Sequence, residues 1–254
     1  MKTSLLITTF NRPDALNLVL KTVECQSRVP DEVVVCDDGS SIQTSMLVRQ
    51  WEGRLPIRYA WQSDRAFRAA RARNLGVCKS QVEYLVWIDG DCLLPPHFLE
   101  NHLKLSRPGY LVAGGRHLLS SKETKRLLCG ASPIASAFSH RKFLSLSLGI
   151  LRDSHPGAWE TVRTCNMGLH RVDLDIIGGF DESYSGWGRE DSDFVVRLIK
   201  QGVKVRSGRV AACVAHLDHP VRAREQLSQN DTLFNNCLND PAHIQPQSSI
   251  LIEL

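Results

Sequence analysis

Two short apolar runs, each ending in a pair of acidic residues, constrain the fold of this chain more than any other feature. Val33 to Cys36 leads into Asp37-Asp38, and Tyr84 to Ile88 leads into Asp89-Gly90-Asp91. Such short, continuous apolar runs are typical of strands buried on both faces, which occur in parallel sheets covered by helices. Ligands bind in the crevice outside the carboxyl ends of these strands. The sequence therefore predicts that both acidic pairs share one binding site.

The remaining pattern predicts helices between such strands. Leu5 to Thr9 predicts a first strand, and Pro13 opens a segment with apolar residues at helical spacing. This alternation predicts an α/β fold with a mixed, mostly parallel sheet flanked by helices in a single domain. Near the end, Val203 to Arg206 and Val210 to Ala215 predict two separate strands. Residues 120–160 have no clear period, and we expect loops and short helices there.

Composition narrows the class of protein. With 254 residues, of which 43% are hydrophobic, the chain can bury the core of one catalytic unit. Its net charge of +4 comes from 31 basic and 27 acidic residues, a modest excess that suits an anionic substrate or a membrane surface but not nucleic acid. The eight cysteines include no Cys-x-x-Cys pair, as is usual for reduced thiols in a cytoplasmic enzyme. No run of about 18 apolar residues occurs, so we expect at most a peripheral association with the inner face of a membrane.

One stretch combines three acidic residues with a tryptophan and is the main candidate for catalytic residues. It reads Gly186-Trp187-Gly188-Arg189-Glu190-Asp191-Ser192-Asp193 and directly precedes a segment of helical period that ends at Gly202. Acids at a helix N-terminus are often simple caps, stabilised by the free N–H groups. Capping does not require an indole between two glycines, however. A carboxylate beside an exposed aromatic wall suits a general base that faces a sugar hydroxyl.

The motif Gly-Trp-Gly-Arg-Glu-Asp resembles that of the β-galactosyltransferase-like (family 7) and chondroitin-polymerase-like inverting glycosyltransferases. Segments from residue 4 to about 220 also resemble glycosyltransferase family 2, in the family order: Thr8-Thr9-Phe10-Asn11-Arg12, Asp37-Asp38, Arg71-x-x-Asn74-x-Gly76 and Asp89-Gly90-Asp91. The resemblance implies the Rossmann-like GT-A fold. It also implies a catalytic domain over 1–220, with a nucleotide-binding half (1–115) and an acceptor half (116–220), followed by a C-terminal helix and tail (221–254).

The resemblance assigns roles to individual residues. Asp91 and His216 would bind Mn²⁺ or Mg²⁺. Asp191 would be the catalytic base, and Glu190, also in the catalytic site, would bind an acceptor or donor hydroxyl. The nucleotide would contact Thr8, Phe10, Arg12, Asp38, Arg71, Asn74 and Asp89. The donor sugar and the acceptor would contact Trp187, Gly188 and Asn166.

Taken together, these roles imply an inverting, metal-dependent transferase. It would move a hexose or N-acetylhexosamine from a UDP-sugar to a saccharide or glycolipid acceptor. The habit of the family suggests bacterial surface polysaccharide or lipopolysaccharide synthesis as the setting.

Alternatives stay open at the level of sequence. Asp-Gly is ordinary turn chemistry, a lone His216 is more often structural than a ligand, and the arginines between Arg65 and Arg73 could form a solvated helix face. Whether Asp218 or His219 also binds metal is open too. A nucleotidyltransferase also sets acids at strand ends, although this chain lacks its glycine- and lysine-rich triphosphate loop. A non-catalytic carbohydrate-binding protein on the same fold is the third alternative.

Overall fold

Eight strands form a single sheet in the computed structural model, which describes residues 1–139, 158–220 and 224–248. Their order across the sheet is β3-β2-β1-β4-β7-β6-β8-β5. The strands are β1 (Thr3–Thr9), β2 (Glu32–Asp37), β3 (Ile57–Trp61), β4 (Tyr84–Asp89), β5 (Cys92–Leu93), β6 (Tyr110–Leu118), β7 (Asn166–His170) and β8 (Lys204–His216).

The sheet is mixed. Strand β1 is parallel to β2 and β4, β2 is parallel to β3, and β6 is parallel to β8. Strand β7 runs antiparallel to both β4 and β6, and the short β5 is antiparallel to β8. The predicted α/β architecture with a mostly parallel sheet is confirmed.

Helices cover both faces of the sheet. They are α1 (Pro13–Glu24), α2 (Ile42–Trp51), α3 (Ala69–Cys78), α4 (Phe98–Leu105), α5 (Ser121–Leu128), α6 (Arg171–Ile177), α7 (Glu190–Lys200) and α8 (Leu227–Asn239). In β1, Leu5 and Ile7 pack into one apolar core, whereas Leu6 packs into the core on the opposite face. This burial on both faces explains why the strands are continuous apolar runs.

The two strands predicted after Gly202 are one long strand. Strand β8 pairs with β6 along its whole length, but the register shifts so that Gly114 opposes Gly208 and Gly115 opposes Cys213. The extra residues of β8 form a bulge, which bends a strand and turns its end. The sequence shows only the interrupted apolar pattern at the bulge, so the continuity of the strand was not apparent from it.

A buried ion pair fastens α7 to its surroundings. The Nε of Arg197 lies 2.6 Å from a carboxylate oxygen of Asp193, and both side chains are fully buried. The same guanidinium donates to the carbonyl oxygens of Ile177 and Gly179, at 2.9 and 2.8 Å, and of Ile244 at 3.4 Å. One arginine thus connects the helix, the turn after α6 and the C-terminal segment.

The segments outside the central sheet are only partly described. Residues 120–139 form α5 and a short 3₁₀ helix (Ile134–Phe138), in agreement with the prediction of short helices, while 140–157 lie outside the described residues. In the C-terminal segment, α8 packs on α7, and the Gln247 carbonyl accepts the Glu182 N–H at 2.7 Å. Among the helices of the described residues, none has the length and apolarity needed to cross a membrane.

The Arg197 ion pair makes a prediction about stability. We expect Arg197→Met to lower the free energy of unfolding by about 3–5 kcal/mol, because it leaves the Asp193 carboxylate buried without its cation. Denaturant unfolding followed by tryptophan fluorescence measures the change.

Lys104→Ala is the matched control, since it breaks an exposed pair between Lys104 and Glu100 on α4 (2.7 Å). Solvent and salt screen exposed pairs of this kind, so we expect this variant to change the free energy of unfolding very little. Equal losses in the two variants would contradict the importance given to the buried pair.

Candidate active site

A crevice of about 700 Å³ opens at the carboxyl ends of the parallel strands. Its walls come from the ends of β1, β2 and β4, from the bent ends of β6 and β8, and from the loop before α7. Eight of the residues predicted from the sequence line it: Thr8, Phe10, Arg12, Asp38, Asp89, Asp91, Trp187 and His216. The crevice therefore collects residues that are up to 208 positions apart in the sequence, from Thr8 to His216.

Asp91 lies at the centre of a group of nitrogen and oxygen donors. Its carboxylate oxygens are 3.5 Å from Nε2 of His216 and 3.4 Å from Nε2 of His219. Arg12 donates to the same carboxylate at 3.3 Å. Strand β5 follows the acidic turn directly and pairs with the end of β8, so the sheet itself brings Asp91 and His216 together.

The two imidazoles are oriented for metal binding. Nδ1 of His216 lies 2.8 Å from the Leu217 carbonyl oxygen, and Nδ1 of His219 lies 2.9 Å from that of Pro220. A carbonyl oxygen only accepts, so each Nδ1 carries a proton, and Nε2 of each ring is the atom that faces Asp91. Metal-binding histidines are commonly fixed by a backbone carbonyl in this way.

The donor set fits a divalent cation. A carboxylate oxygen and two imidazole nitrogens that face it are ligands that a divalent cation can share. The buried Cys92 thiol lies close to Asp91 and His216, and burial raises its pKa. Asp218 also lines the crevice, and its carboxylate accepts a hydrogen bond from the Ser121 hydroxyl.

Asp38 presents a carboxylate to the crevice with two protein donors already attached. The side-chain amide of Gln62 donates to Oδ1 at 2.5 Å, and the backbone N–H of Arg68 donates to Oδ2 at 2.8 Å. Each carboxylate oxygen thus accepts from a protein donor, and the carboxylate lines the crevice in a fixed orientation.

The neighbouring Asp37 has a structural task instead. It accepts from the Ser40 backbone N–H at 2.7 Å and from the Tyr59 hydroxyl at 2.5 Å, which closes the turn after β2. The turn requires Gly39, whose φ is +98° and whose position leaves no room for a side chain: a Cβ there would lie 2.5 Å from the Cα of Asp64.

Arg73 is a site residue that sequence reasoning missed. It lines the crevice, yet its side chain is 4% exposed, and its guanidinium lies 3.0 Å from Glu190 and 3.9 Å from Asp89. Burial works to lower the pKa of Arg73, but the charges of Glu190 and Asp89 outweigh it and raise the pKa. Arg73 thus carries a fixed positive charge between the acidic turn after β4 and the start of α7.

The acidic stretch begins α7 next to the crevice. The loop before α7 has three residues with positive φ: Gly186 (+72°), Gly188 (+105°) and Arg189 (+78°). Trp187, within this loop, is 38% exposed and forms part of the crevice wall. The guanidinium of Arg224 lies 4.6 Å from the centre of the Trp187 ring. Arg73, which lines the crevice, interacts with the charges of Glu190 and Asp191.

The Asp191 carboxyl has an altered acidity. Burial, followed by the charge of Glu190, raises the pKa of Asp191 to about 6, against the lowering effect of Arg73. Because Glu190 is bound to Arg73 at 3.0 Å, Asp191 is the carboxylate of the pair with no ion-pair partner in the described part of the chain. An acid with a pKa near the working pH is suited to exchange protons.

Two residues predicted to contact the nucleotide lie outside the crevice. Asn74 is fully buried, and its amide binds the Phe180 backbone, Glu182 and Ser248. Arg71 donates to Gln62 at 2.6 Å and faces Glu182 at 3.5 Å. The structure thus places these side chains behind the crevice wall, where they support it.

Asn166 and Gly188, which were predicted to contact the sugar or the acceptor, form hydrogen bonds within the protein. The Asn166 amide donates to the Gly115 and Ala212 carbonyls, at 2.7 and 2.8 Å, and so fastens the bulge between β6 and β8. The Gly188 carbonyl accepts from Asn230 at 2.9 Å. Neither residue lines the crevice, although Trp187, the neighbour of Gly188, does.

Signals for the missed residues were present but weak. Arg73 comes four residues after Ala69 and four before Val77, both of which are buried, so it lies on the apolar face of α3 where an arginine needs a partner. From the sequence, His219 is only one possible additional metal ligand. Gln62 follows a strand end, and nothing in the sequence marks it.

Two family models together cover most of the chain. The model described as "Glycosyl transferase family 2" matches residues 4–149, and the one described as "N-terminal domain of galactosyltransferase" matches residues 151–220. These matches agree with the resemblances drawn from the motifs.

Curated relatives include transferases and synthases. Validoxylamine A glucosyltransferase from Streptomyces hygroscopicus subsp. limoneus is 30% identical over 226 residues, which are 81% of this chain and 49% of that protein. Hyaluronan synthase from Pasteurella multocida is 28% identical over 78% of this chain and 23% of its own length. Chondroitin synthase from Escherichia coli is 25% identical over 87% and 35%. The chain therefore spans about half, or less, of these relatives.

Solved structures share the fold. S. aureus TarS in complex with UDP-GlcNAc superposes with a TM-score of 0.67 at 15% identity, over 94% of this chain and 67% of that one. A mannosyltransferase from Pyrobaculum calidifontis in complex with GDP-Man and Mn²⁺ gives a TM-score of 0.64 at 18% identity, over 94% and 64%.

The donor set predicts the effect of removing its imidazoles. We expect His216→Ala and His219→Ala each to weaken Mn²⁺ binding by about 10- to 100-fold, because each removes a nitrogen that faces Asp91. Isothermal titration with Mn²⁺ measures the affinity. The control is His97→Ala, an exposed histidine on the N-terminal side of α4, and unchanged affinity in both site variants would exclude these imidazoles as ligands.

Proposed function

This chain belongs to glycosyltransferase family 2, and from that membership we propose an inverting, metal-dependent enzyme that transfers a hexose or N-acetylhexosamine from a UDP-sugar. The observation that carries the proposal is that the Asp38 carboxylate and the donors around Asp91 line one crevice, and that the crevice residue Arg73 interacts with Asp191 at the start of α7. Asp191 itself does not line the crevice; it lies behind Arg73 and next to the Trp187 loop. Each of these three groups matches one requirement of the reaction, namely base recognition, diphosphate neutralisation and proton removal.

The Asp38 carboxylate supports a uracil donor. Uracil presents one N–H between two carbonyl groups, and a carboxylate is the acceptor that binds such a donor most strongly. TarS, which shares the fold, was solved with UDP-GlcNAc, whereas the Pyrobaculum enzyme was solved with GDP-Man. We take UDP as the donor nucleotide because of the match to family sequences around Asp38.

The cation proposed for the site would be bound by Asp91, His216 and His219. A bound Mn²⁺ or Mg²⁺ ion supplies positive charge that stabilises the departing diphosphate. Arg12 is a further cation at the same place, since its guanidinium lies 3.3 Å from Asp91, and it can donate hydrogen bonds to phosphoryl oxygens.

Asp191 is the proposed base of a single in-line displacement. It takes the proton of the acceptor hydroxyl while that oxygen forms a bond to the anomeric carbon and the bond from this carbon to the diphosphate breaks. Attack from the side opposite the leaving group converts an α-linked sugar nucleotide into a β-linked product. Arg73 holds Glu190 at 3.0 Å, and Trp187 offers an aromatic face on which a sugar can stack.

The acceptor we propose is a saccharide or glycolipid. The relatives named hyaluronan synthase, chondroitin synthase and O-antigen biosynthesis protein RfbC (Myxococcus xanthus) support a role in bacterial surface polysaccharide or lipopolysaccharide synthesis. Such a role would place the enzyme in the cytoplasm or at the inner face of the membrane.

Asp191→Asn tests the assignment of the base. We expect transfer from UDP-sugars to fall by about 10²-fold or more, because the amide cannot accept the hydroxyl proton, while UDP binding with Mn²⁺ changes little. UDP release measures turnover, and calorimetry measures UDP binding. Asp193→Asn is not a suitable control, because Asp193 belongs to the buried ion pair with Arg197. Near-normal turnover would rule out Asp191 as the base.

The raised pKa of Asp191 predicts the pH dependence of transfer. The base must be ionised, so at saturating Mn²⁺ the rate should be constant above the pKa of about 6 and fall about tenfold for each pH unit below it. Glu190→Gln removes a neighbouring negative charge and should therefore move the midpoint to lower pH. A midpoint that stays in place would indicate that another group controls the profile.

A further inference from the structure

A chain of hydrogen bonds leads from Asp38 away from the crevice. Gln62 donates to the Asp38 carboxylate at 2.5 Å, and Arg71 donates to the side-chain oxygen of Gln62 at 2.6 Å. The guanidinium of Arg71 also faces Glu182 at 3.5 Å, and Glu182 accepts from Asn74 at 2.8 Å. We name the three residues Gln62, Arg71 and Glu182 the relay.

Donor and acceptor chemistry fixes the direction of the relay. An arginine can only donate, so the oxygen of the Gln62 amide must face Arg71 and its nitrogen must face Asp38. The Gln62 side chain is buried, and its nitrogen also lies 3.3 Å from the Arg68 carbonyl oxygen, which further limits rotation of the amide. Asp38 is therefore held by an N–H donor whose orientation depends on Arg71.

The relay continues into the C-terminal segment. Asn74 donates to Ser248 at 3.2 Å as well as to Glu182, and the Glu182 N–H donates to the Gln247 carbonyl at 2.7 Å. Gln62 and Arg71 do not line the crevice, so any effect they have on a bound nucleotide must pass through Asp38.

We propose that Gln62 and Arg71 are positioning residues that orient the Asp38 carboxylate and so determine affinity for the base of the donor nucleotide. This inference rests on the proposed function, in which Asp38 accepts an N–H from the base. A protein donor on each carboxylate oxygen fixes the plane in which the Asp38 carboxylate faces the crevice. A base with an N–H at the facing position is favoured, and a base with a lone pair there is rejected.

Gln62→Glu is the sharpest variant, because it preserves shape and replaces the donor with a second carboxyl facing Asp38. At about pH 7.5 we expect UDP affinity, measured by calorimetry with Mn²⁺, to fall at least about tenfold relative to the parent enzyme. Much of this loss should disappear at about pH 5.5, relative to the parent at the same pH, because the two facing carboxyls can then share a proton.

Arg71→Gln provides a second, milder variant on an accessible residue. Here the Gln62 amide loses the partner that orients it, and we expect UDP affinity to fall about threefold or more, with KM for the UDP-sugar raised and kcat at saturating donor nearly unchanged. Arg65→Gln is the matched control: Arg65 is an exposed arginine in the loop that precedes α3, and we expect its replacement to leave UDP affinity unchanged.

The outcomes separate the relay from the proposed function. Two results would overturn the positioning role of Gln62 and Arg71. One is a UDP affinity of Gln62→Glu that stays within about twofold of the parent at both pH values. The other is an equal loss of UDP affinity in Arg71→Gln and Arg65→Gln. A parent enzyme that prefers GDP would contradict the UDP donor but support the relay if the variants weaken GDP instead, since guanine also presents an N–H. A preference for CDP, whose base has a lone pair at the corresponding position, would overturn both.

Discussion

The crowding of carboxylates at one edge of the sheet is the constraint on which this structure depends. Asp38, Asp89 and Asp91 line the crevice, and Glu190 and Asp191 begin the adjacent helix. Burial raises the pKa of Asp89 and of Asp191, and the charges of neighbouring carboxylates raise both further. The buried Arg73 reduces this repulsion, because its guanidinium faces Asp89 on one side and Glu190 on the other. Without such a cation, the edge would tend to take up protons and lose the charges that metal and nucleotide binding require.

The fold brings the remaining parts together through strand ends that depart from regular geometry. Beyond the bulge, β6 and β8 stay paired as far as Leu118 and His216, and this stretch brings Arg116 and His216 to the crevice. Asn166 stabilises this bulge with two hydrogen bonds to backbone carbonyls, and Gly114 makes room for its amide, since a Cβ there would lie 2.2 Å from the Asn166 side chain. Asn166, predicted from the sequence to contact the sugar, therefore stabilises the backbone at the bulge and with it the direction of the strand ends.

The sequence predicted the strands, most helices and the crevice because burial on two faces and helical spacing are local patterns. It located the helix α3 and its arginines but not which of them faces the crevice. Arg71 and Arg73 are two residues apart, which on a helix corresponds to a rotation of about 200°, so a shift of two residues in a motif match reverses the face. The direction of a side chain also depends on distant partners: Asn74 turns to Phe180 and Glu182, more than a hundred positions away, and no local pattern reports such contacts.

The C-terminal segment connects the two ends of the site. It accepts a hydrogen bond from Arg197, which anchors α7 and therefore Asp191, and it bonds to Glu182 and Asn74, which support the base pocket. The donor side and the catalytic helix thus share one support, even though they are formed by different halves of the chain. A change that loosens this segment should therefore weaken nucleotide binding and proton removal together, whereas a change confined to Gln62 should affect nucleotide binding alone.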